Sequence, residues 1–213
     1  MATERQIANR YPRTLQLDET FGSPGPSFFR AKPTSKAQLH PVPLRLMNRD
    51  DKDSVHLLAR NLPHDDLLFL RSDITNPGNL DAWIESIEKG NTITILAEPD
   101  GTLEGYASIH LSGARWTRKI GELAINVAPE WQSRGLGEGL CGELIALAEA
   151  LGMRKVTAQM MAEHRSARAL FGRLGFQVAS FLPDWVEDGE GQFRDLLVMV
   201  YDLSHSASNP TQP

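Results

Sequence analysis

Hydrophobic positions recur with two periods between residues 42 and 203, and the switches between the periods mark out a series of elements. Val42 to Met47 reads as a first strand, and Asp50, Asp51 and Asp53 are placed to cap a helix running to about Asn61. Pro63 to Arg71 reads as a short helix or turn, and Ser72 to Gly78 as an irregular loop. A helix carrying Trp83, Ile84 and Ile87 starts at Asn79 or Asp81 and stops at Gly90. Thr92 to Ala97 and Leu103 to Leu111 form a hairpin around Pro99-Asp100-Gly101, and Ile120 to Val127 is a further strand. Leu140, Leu144, Leu147, Ala148 and Leu151 give the stripe of a half-buried helix from about Glu138 to Leu151. Val156 to Met160 is a strand, and Ala167, Leu170, Phe171 and Leu174 make a second helical stripe that Gly175 ends. Phe176 to Leu182 and Asp195 to Leu203 close the pattern, which predicts an α/β (α+β) domain with a mixed sheet covered by helices.

Residues 1–41 break this pattern. They are Pro-rich, contain the turn cluster Gly22 to Ser27, and read as an N-terminal arm ahead of a domain at 42–203 and a polar tail at 204–213. The arm is either a disordered tail or a segment that Phe21, Phe28 and Phe29 anchor onto the domain or onto a partner chain, as in a homodimer. It holds six basic and three acidic side chains, a net +3 within a whole-chain charge of −5, so the remainder carries −8. An acidic body argues against nucleic acid as the ligand, and fits either a cationic acceptor such as an amine or ordinary solubility charge. No run approaches the ~20 apolar residues of a membrane span, so no membrane partner is expected. The polar N-terminus offers no secretory h-region, and a cytoplasmic location is the expectation. The single cysteine, Cys141, excludes an internal disulfide, and no Cys/His spacing suggests a metal.

The candidate chemistry lies at Gln132-Ser133-Arg134-Gly135-Leu136-Gly137, a glycine-rich loop between a strand and a long helix. Such a loop points backbone N–H groups outward at the positive end of a helix dipole and binds phosphate or pyrophosphate. Gly137 to Gly142 also satisfies G-x-G-x-x-G, but a dinucleotide turn follows its strand almost at once. Here Ala128 to Leu136 intervenes, and Gly139 and Gly142 fall inside the helix, where close packing is the expected role.

The stretch from Val127 to Gly137 resembles the acyl-CoA-binding signature of the GNAT superfamily of N-acetyltransferases: a strand ending in Val-x-Pro, then [QR]-x-x-G-x-[GA] opening a helix. Ala167 to Phe176 is similar to the family's helix that ends in Leu-Gly-Phe. The resemblance runs from about Val42 to Leu203 and implies a GNAT-like mixed, mostly antiparallel central sheet flanked by helices. It also implies acetyl-CoA as the acyl-donor cosubstrate. Its pyrophosphate would lie on the amides of Ser133 to Glu138, and its pantetheine arm along Ile125, Asn126 and Val127. Gln132, Leu136 and Phe171 complete the expected cofactor contacts, with Arg134 either a charge contact or a solvated loop residue.

A primary amine is mostly protonated at neutral pH, so attack on a thioester needs a proton acceptor. Glu122 is the candidate base; strand alternation puts it on one face with Ala124 and Asn126, and the family places an acid on this strand. For the departing thiolate the family often supplies a tyrosine, with an asparagine ahead of the helix. This chain has Phe171 and His164 there, so a tyrosine acid is excluded at that position. His164 is a substitute acid, a contact to the cofactor's polar arm, or a surface residue; otherwise solvent protonates the thiolate. Tyr106 and Tyr201 read as sheet residues, Cys141 as a buried structural thiol, and Trp131 and Trp185 as packing residues. Trp185, in a loop Pro183 to Phe193, also stands to wall an acceptor pocket together with Pro63 to Gly78. Asp65, Asp66, Asp73, Asp184, Glu187, Asp188 and Glu190 would bring negative charge there. The reading is an acetyl-CoA-dependent N-acetyltransferase acting by direct attack of an amine, with a small amine, an amino acid, or a protein lysine or N-terminus as acceptor. The alternative is a non-catalytic acyl-CoA-binding sensor or regulatory module.

Overall fold

The computed structural model describes residues 7–18, 39–67, 73–188 and 191–204. The expectations for Phe21, Phe28, Phe29, the Gly22–Ser27 cluster and the tail from His205 lie outside these residues. So do those for residues 68–72 and 189–190.

Eight strands form one sheet: β1 (Arg13–Asp18), β2 (Leu39–Leu46), β3 (Thr92–Ala97), β4 (Gly105–Leu111), β5 (Ile120–Val127), β6 (Lys155–Met161), β7 (Gln177–Glu187) and β8 (Phe193–Asp202). Their order is β1-β2-β3-β4-β5-β6-β8-β7. Every neighbouring pair is antiparallel except β5 and β6, because the chain must cross over through a helix between these two. Helices α1 (Lys52–Asn61), α2 (His64–Leu67) and α3 (Pro77–Glu88) precede β3; α4 (Leu136–Ala150) joins β5 to β6, and α5 (Arg165–Arg173) joins β6 to β7.

The two sheet faces have separate cores. Val55, Leu58 and Ala59 of α1 and Leu80, Trp83 and Ile84 of α3 pack with Leu96 and Tyr106 on one face. Leu140, Leu144 and Leu147 of α4 and Phe171 of α5 pack with Ile95, Ile109, Leu123, Ala158 and Met199 on the other. The expected helix stripes are therefore the buried ones. Element starts differ where a cap was read as loop. Asn76 accepts a hydrogen bond from the Gly78 amide (2.9 Å) and Pro77 occupies the first helical position, so α3 begins earlier than Asn79. Before α1, Asn48 caps a short 3-10 turn, and the Asp51 carboxylate accepts from the Asn48 amide (2.8 Å) and from Arg45 (2.6 and 2.8 Å).

Strand β1, inside the expected arm, was not anticipated. It pairs with β2 over six positions, from Arg13↔Leu44 to Asp18↔Leu39, and Tyr11 and Leu17 join the core. Gly139 receives it: a Cβ there would overlap the Leu15 side chain, so this glycine does serve close packing. Gly142 does not, having nothing within 4 Å of an added Cβ. One helical turn beyond Gly139, buried Glu143 accepts from Arg10 (2.6 Å), Tyr11 (2.8 Å) and Arg13 (2.7 Å). At the far edge β7 runs on to Glu187, so Trp185 is an exposed strand residue and not part of a long loop.

Candidate active site

Strand β5 pairs with β4 along its length, from Gly105↔Val127 to Leu111↔Gly121, but with β6 only over Ile120–Leu123 opposite Lys155–Ala158. Past that point β6 follows β8, as far as Met161↔Leu196. Ala124 to Val127 thus has a strand on one side and, among the described residues, an opening on the other. An extended chain entering this opening would meet main-chain polar groups spaced for strand-like pairing.

The glycine loop lies at the mouth of the opening. After the turn Pro129–Trp131, Ser133 and Gly135 both adopt left-handed backbone (φ 59° and 87°), which turns consecutive amides toward one side. Only glycine takes Gly135's conformation without strain, and it is the N-cap of α4 with no side-chain cap. The first intrahelical bond there is the Gly139 amide to the Gly135 carbonyl (2.9 Å). The amides of Leu136 and Gly137 precede the first intrahelical bond, at the positive end of a 15-residue dipole. These features fit a pyrophosphate. The Arg134 guanidinium lies 5.2 Å from the ring centre of buried Trp131, a cation–π contact, so its charge is held beside the loop.

The faces of β5 divide as alternation predicts. Leu123 and Val127 join the core beneath α4, while Glu122, Ala124 and Asn126 face the α1–α3 side. Glu122 is half-buried, with His110 opposite it on β4 and Thr157 opposite it on β6. Buried Asn126 donates through Nδ2 to the Tyr106 hydroxyl (2.7 Å), and the Tyr106 ring packs 5.0 Å from Trp83. Complete burial pushes the Tyr106 phenol well above its ordinary range, consistent with a sheet residue that stays neutral.

His164 stands at the N-cap of α5, and its Nε2 lies 3.2 Å from Asp66 Oδ1 on α2. The other Asp66 oxygen accepts from Gln132 Nε2 (3.3 Å), which also donates to the Val127 carbonyl (3.1 Å). One carboxylate thus ties α2 to both the glycine loop and the start of α5. The sequence placed Asp66 in a diffuse acidic group; its role as a bridge depends on tertiary approach. Other members of that group are occupied locally. Asp73 accepts from Thr75 N (2.9 Å) in its own turn, and buried Asp188 binds Arg194 (2.8 Å) and the Gln192 amide (2.8 Å). Phe171 is buried edge-to-face against Phe176 (5.0 Å), so its ring belongs to the core of the α5 face. Burial, with a smaller contribution from Glu138, pushes the Cys141 thiol far up and keeps it a neutral core group. Among the described residues, no group of three or more His, Cys, Asp or Glu side chains is arranged to hold a metal, and no helix is long and apolar enough to cross a membrane.

Residues 60–176 match the model of the acetyltransferase (GNAT) family. The chain belongs to this family and is an acetyl-CoA-dependent N-acetyltransferase. It is 29% identical over 131 residues to an L-methionine sulfoximine/L-methionine sulfone acetyltransferase of Salmonella typhimurium, covering 60% of this chain and 74% of the relative. It is 30% identical over 126 residues to the L-amino acid N-acyltransferase MnaT of Escherichia coli, covering 57% and 71%. Its fold matches an acetyltransferase structure from Salmonella typhimurium that contains its cofactor acetyl-CoA, with a TM-score of 0.67 and 22% identity over 81% of this chain and 97% of that one.

Proposed function

We propose that this enzyme acetylates the α-amine of an amino acid or a close analogue, with Glu122 as the proton acceptor and His164 as the proton donor to the leaving sulfur. The observation that carries the reading is the opening between β5 and β6, bordered at one end by the uncapped loop and on the α1–α3 side by Glu122. Both amino-acid-directed relatives support the acceptor class. Bound in the opening, acetyl-CoA supplies a thioester carbonyl open to nucleophilic attack.

The residues divide the remaining work. The amides of Leu136, Gly137 and Glu138, with those of Ser133 to Gly135, hold the pyrophosphate, and Ile125 to Val127 align the pantetheine arm. Glu122 takes a proton from the ammonium so that a neutral amine attacks. Asp66 accepts from His164 Nε2 and orients the ring; as the imidazolium, His164 gives a proton to the departing thiolate in place of the tyrosine that Phe171 replaces, and recovers one from the amine nitrogen as the amide forms.

Thiol release with a panel of acceptors tests the proposal. L-Methionine sulfone and neutral L-amino acids should turn over, while their N-methylated forms, polyamines and lysine peptides should not. Preferential turnover of polyamines or lysine peptides would overturn the acceptor class. Acetyl-CoA binding without turnover on any amino acid would overturn it as well.

A further inference from the structure

Glu122 belongs to a polar row that crosses four strands on the α1–α3 face. The register sets Thr92 of β3 opposite His110 of β4, His110 opposite Glu122 of β5, and Glu122 opposite Thr157 of β6. Directly opposed residues on neighbouring strands have Cβ atoms about 4.5–5.5 Å apart, close enough for imidazole and carboxylate to interact. On the other side of the imidazole, His110 Nδ1 lies 3.0 Å from Thr92 Oγ1, and Thr92 Oγ1 lies 2.8 Å from Ser86 Oγ of α3. Thr92 is buried, and Ser86 and His110 are half-buried.

We propose that His110 is a positioning residue for Glu122: the Ser86–Thr92 hydroxyl chain fixes its tautomer so that Nε2–H donates toward the Glu122 carboxylate. A neutral imidazole has one donor and one acceptor. With a carboxylate across the strand, the favourable arrangement puts the N–H on the carboxylate side and the lone pair on the Thr92 side. Thr92 then donates its O–H to His110 Nδ1 and accepts from Ser86, so each hydroxyl in the chain is used. The reverse orientation would aim an imidazole lone pair at a carboxylate. The neighbouring Thr94–Ser108 pair (2.8 Å, buried) sits on the same face but ends on no titratable group, which sets the Thr92 chain apart from simple sheet polarity. The other charged groups at this end of α3 pair at the surface, Glu85 with Lys89 (2.9 Å) and Glu88 with Arg49 (2.7 Å). A hydrogen bond donated across the strand pair holds the Glu122 carboxylate in one orientation, so His110 aims the base at the opening.

The proposal rests on Glu122 being the base, and the test separates the two ideas. In the full-length protein, nitrogen NMR should show His110 with a bare Nδ1 and a protonated Nε2, and Thr92→Val should erase that preference. On a good amino acid acceptor, His110→Ala should lower kcat about tenfold with the acetyl-CoA Kd unchanged. His110→Gln, whose amide can still donate, should restore most of that kcat, and Thr92→Val should lower it less than His110→Ala. A merely structural role would lower Tm and kcat together, with no rescue by His110→Gln. An Nδ1–H tautomer, or a kcat unmoved by His110→Ala while Glu122→Gln abolishes turnover, overturns the positioning role alone. Turnover that survives Glu122→Gln overturns the base assignment itself.

Discussion

The proposed donor and acceptor sides of this site are built from different materials. The donor side is main chain: two left-handed residues, Ser133 and Gly135, a helix N-terminus without a side-chain cap, and the flank of Ala124 to Val127 that no described strand covers. The acceptor side is side chains brought together from distant segments: Glu122 beside His110, and Asp66 bridging His164 and Gln132. Backbone geometry is encoded locally, by a few glycines and a strand–helix boundary. Side-chain clusters depend on register and packing between elements tens of residues apart.

That contrast predicts different signatures for damage on the two sides. The largest effect should come from Glu122→Gln, which should lower kcat/KM on the order of 10²-fold or more and remove the acidic limb of the pH profile, with the acetyl-CoA Kd unchanged. A rise in that Kd of the same size would place Glu122 on the donor side. Next, Gly135→Ala should weaken acetyl-CoA binding about tenfold. The site has room for the Cβ, but the left-handed backbone costs a non-glycine residue about 1–2 kcal/mol. Calorimetric titration with acetyl-CoA checks this, and kcat at saturation should stay within about twofold of wild type, since about 0.4 kcal/mol is a factor of two.

Asp66→Asn should cut kcat about tenfold by releasing His164 and should leave acetyl-CoA binding nearly intact, because the Gln132–Val127 bond remains. Equal losses in kcat and in cofactor affinity would mean that the bridge serves the loop more than the imidazole. Glu143→Gln lies outside both halves. It weakens the contacts to Arg10, Tyr11 and Arg13 and should cost about 1–3 kcal/mol, seen as a lower Tm with kcat unchanged. A fall in kcat would show that docking of β1 on α4 reaches the site.

The smallest effect concerns acid. Burial acts to raise the Asp51 pKa, but the Arg45 and Asn48 bonds outweigh it and hold the carboxyl below its ordinary value. Asp51 thus contributes stability that is present above the unfolded value near pH 4 and is lost as pH falls through the lower folded value. Asp51→Asn should flatten the acid limb of a Tm-against-pH curve, and an unchanged limb would assign the acid sensitivity to other carboxylates.

Much of this was legible in the sequence for physical reasons. Ile120 to Val127 is the strand expected, because apolar and polar residues alternate and a proline follows. The stripe from Leu140 to Leu147 lies buried as its spacing requires. Strand β1 was hidden because Leu15 and Leu17 are too few to outweigh a Pro-rich setting, and their partners, Gly139 and β2, come later in the chain. Pro77 and Gly78 read as a loop breaker when they are the first turn of α3. His110 gave no signal by itself; its meaning comes from the β4–β5 register, which no local pattern states.

As proposed, acetyl-CoA lies in the opening between β5 and β6 with its phosphates on the loop. Amide hydrogen exchange with and without acetyl-CoA tests that most directly. Protection should rise at residues 124–127 and 133–138 and change little along the β4 and β8 segments already paired on both sides. Protection concentrated elsewhere, with those two stretches unchanged, would contradict it.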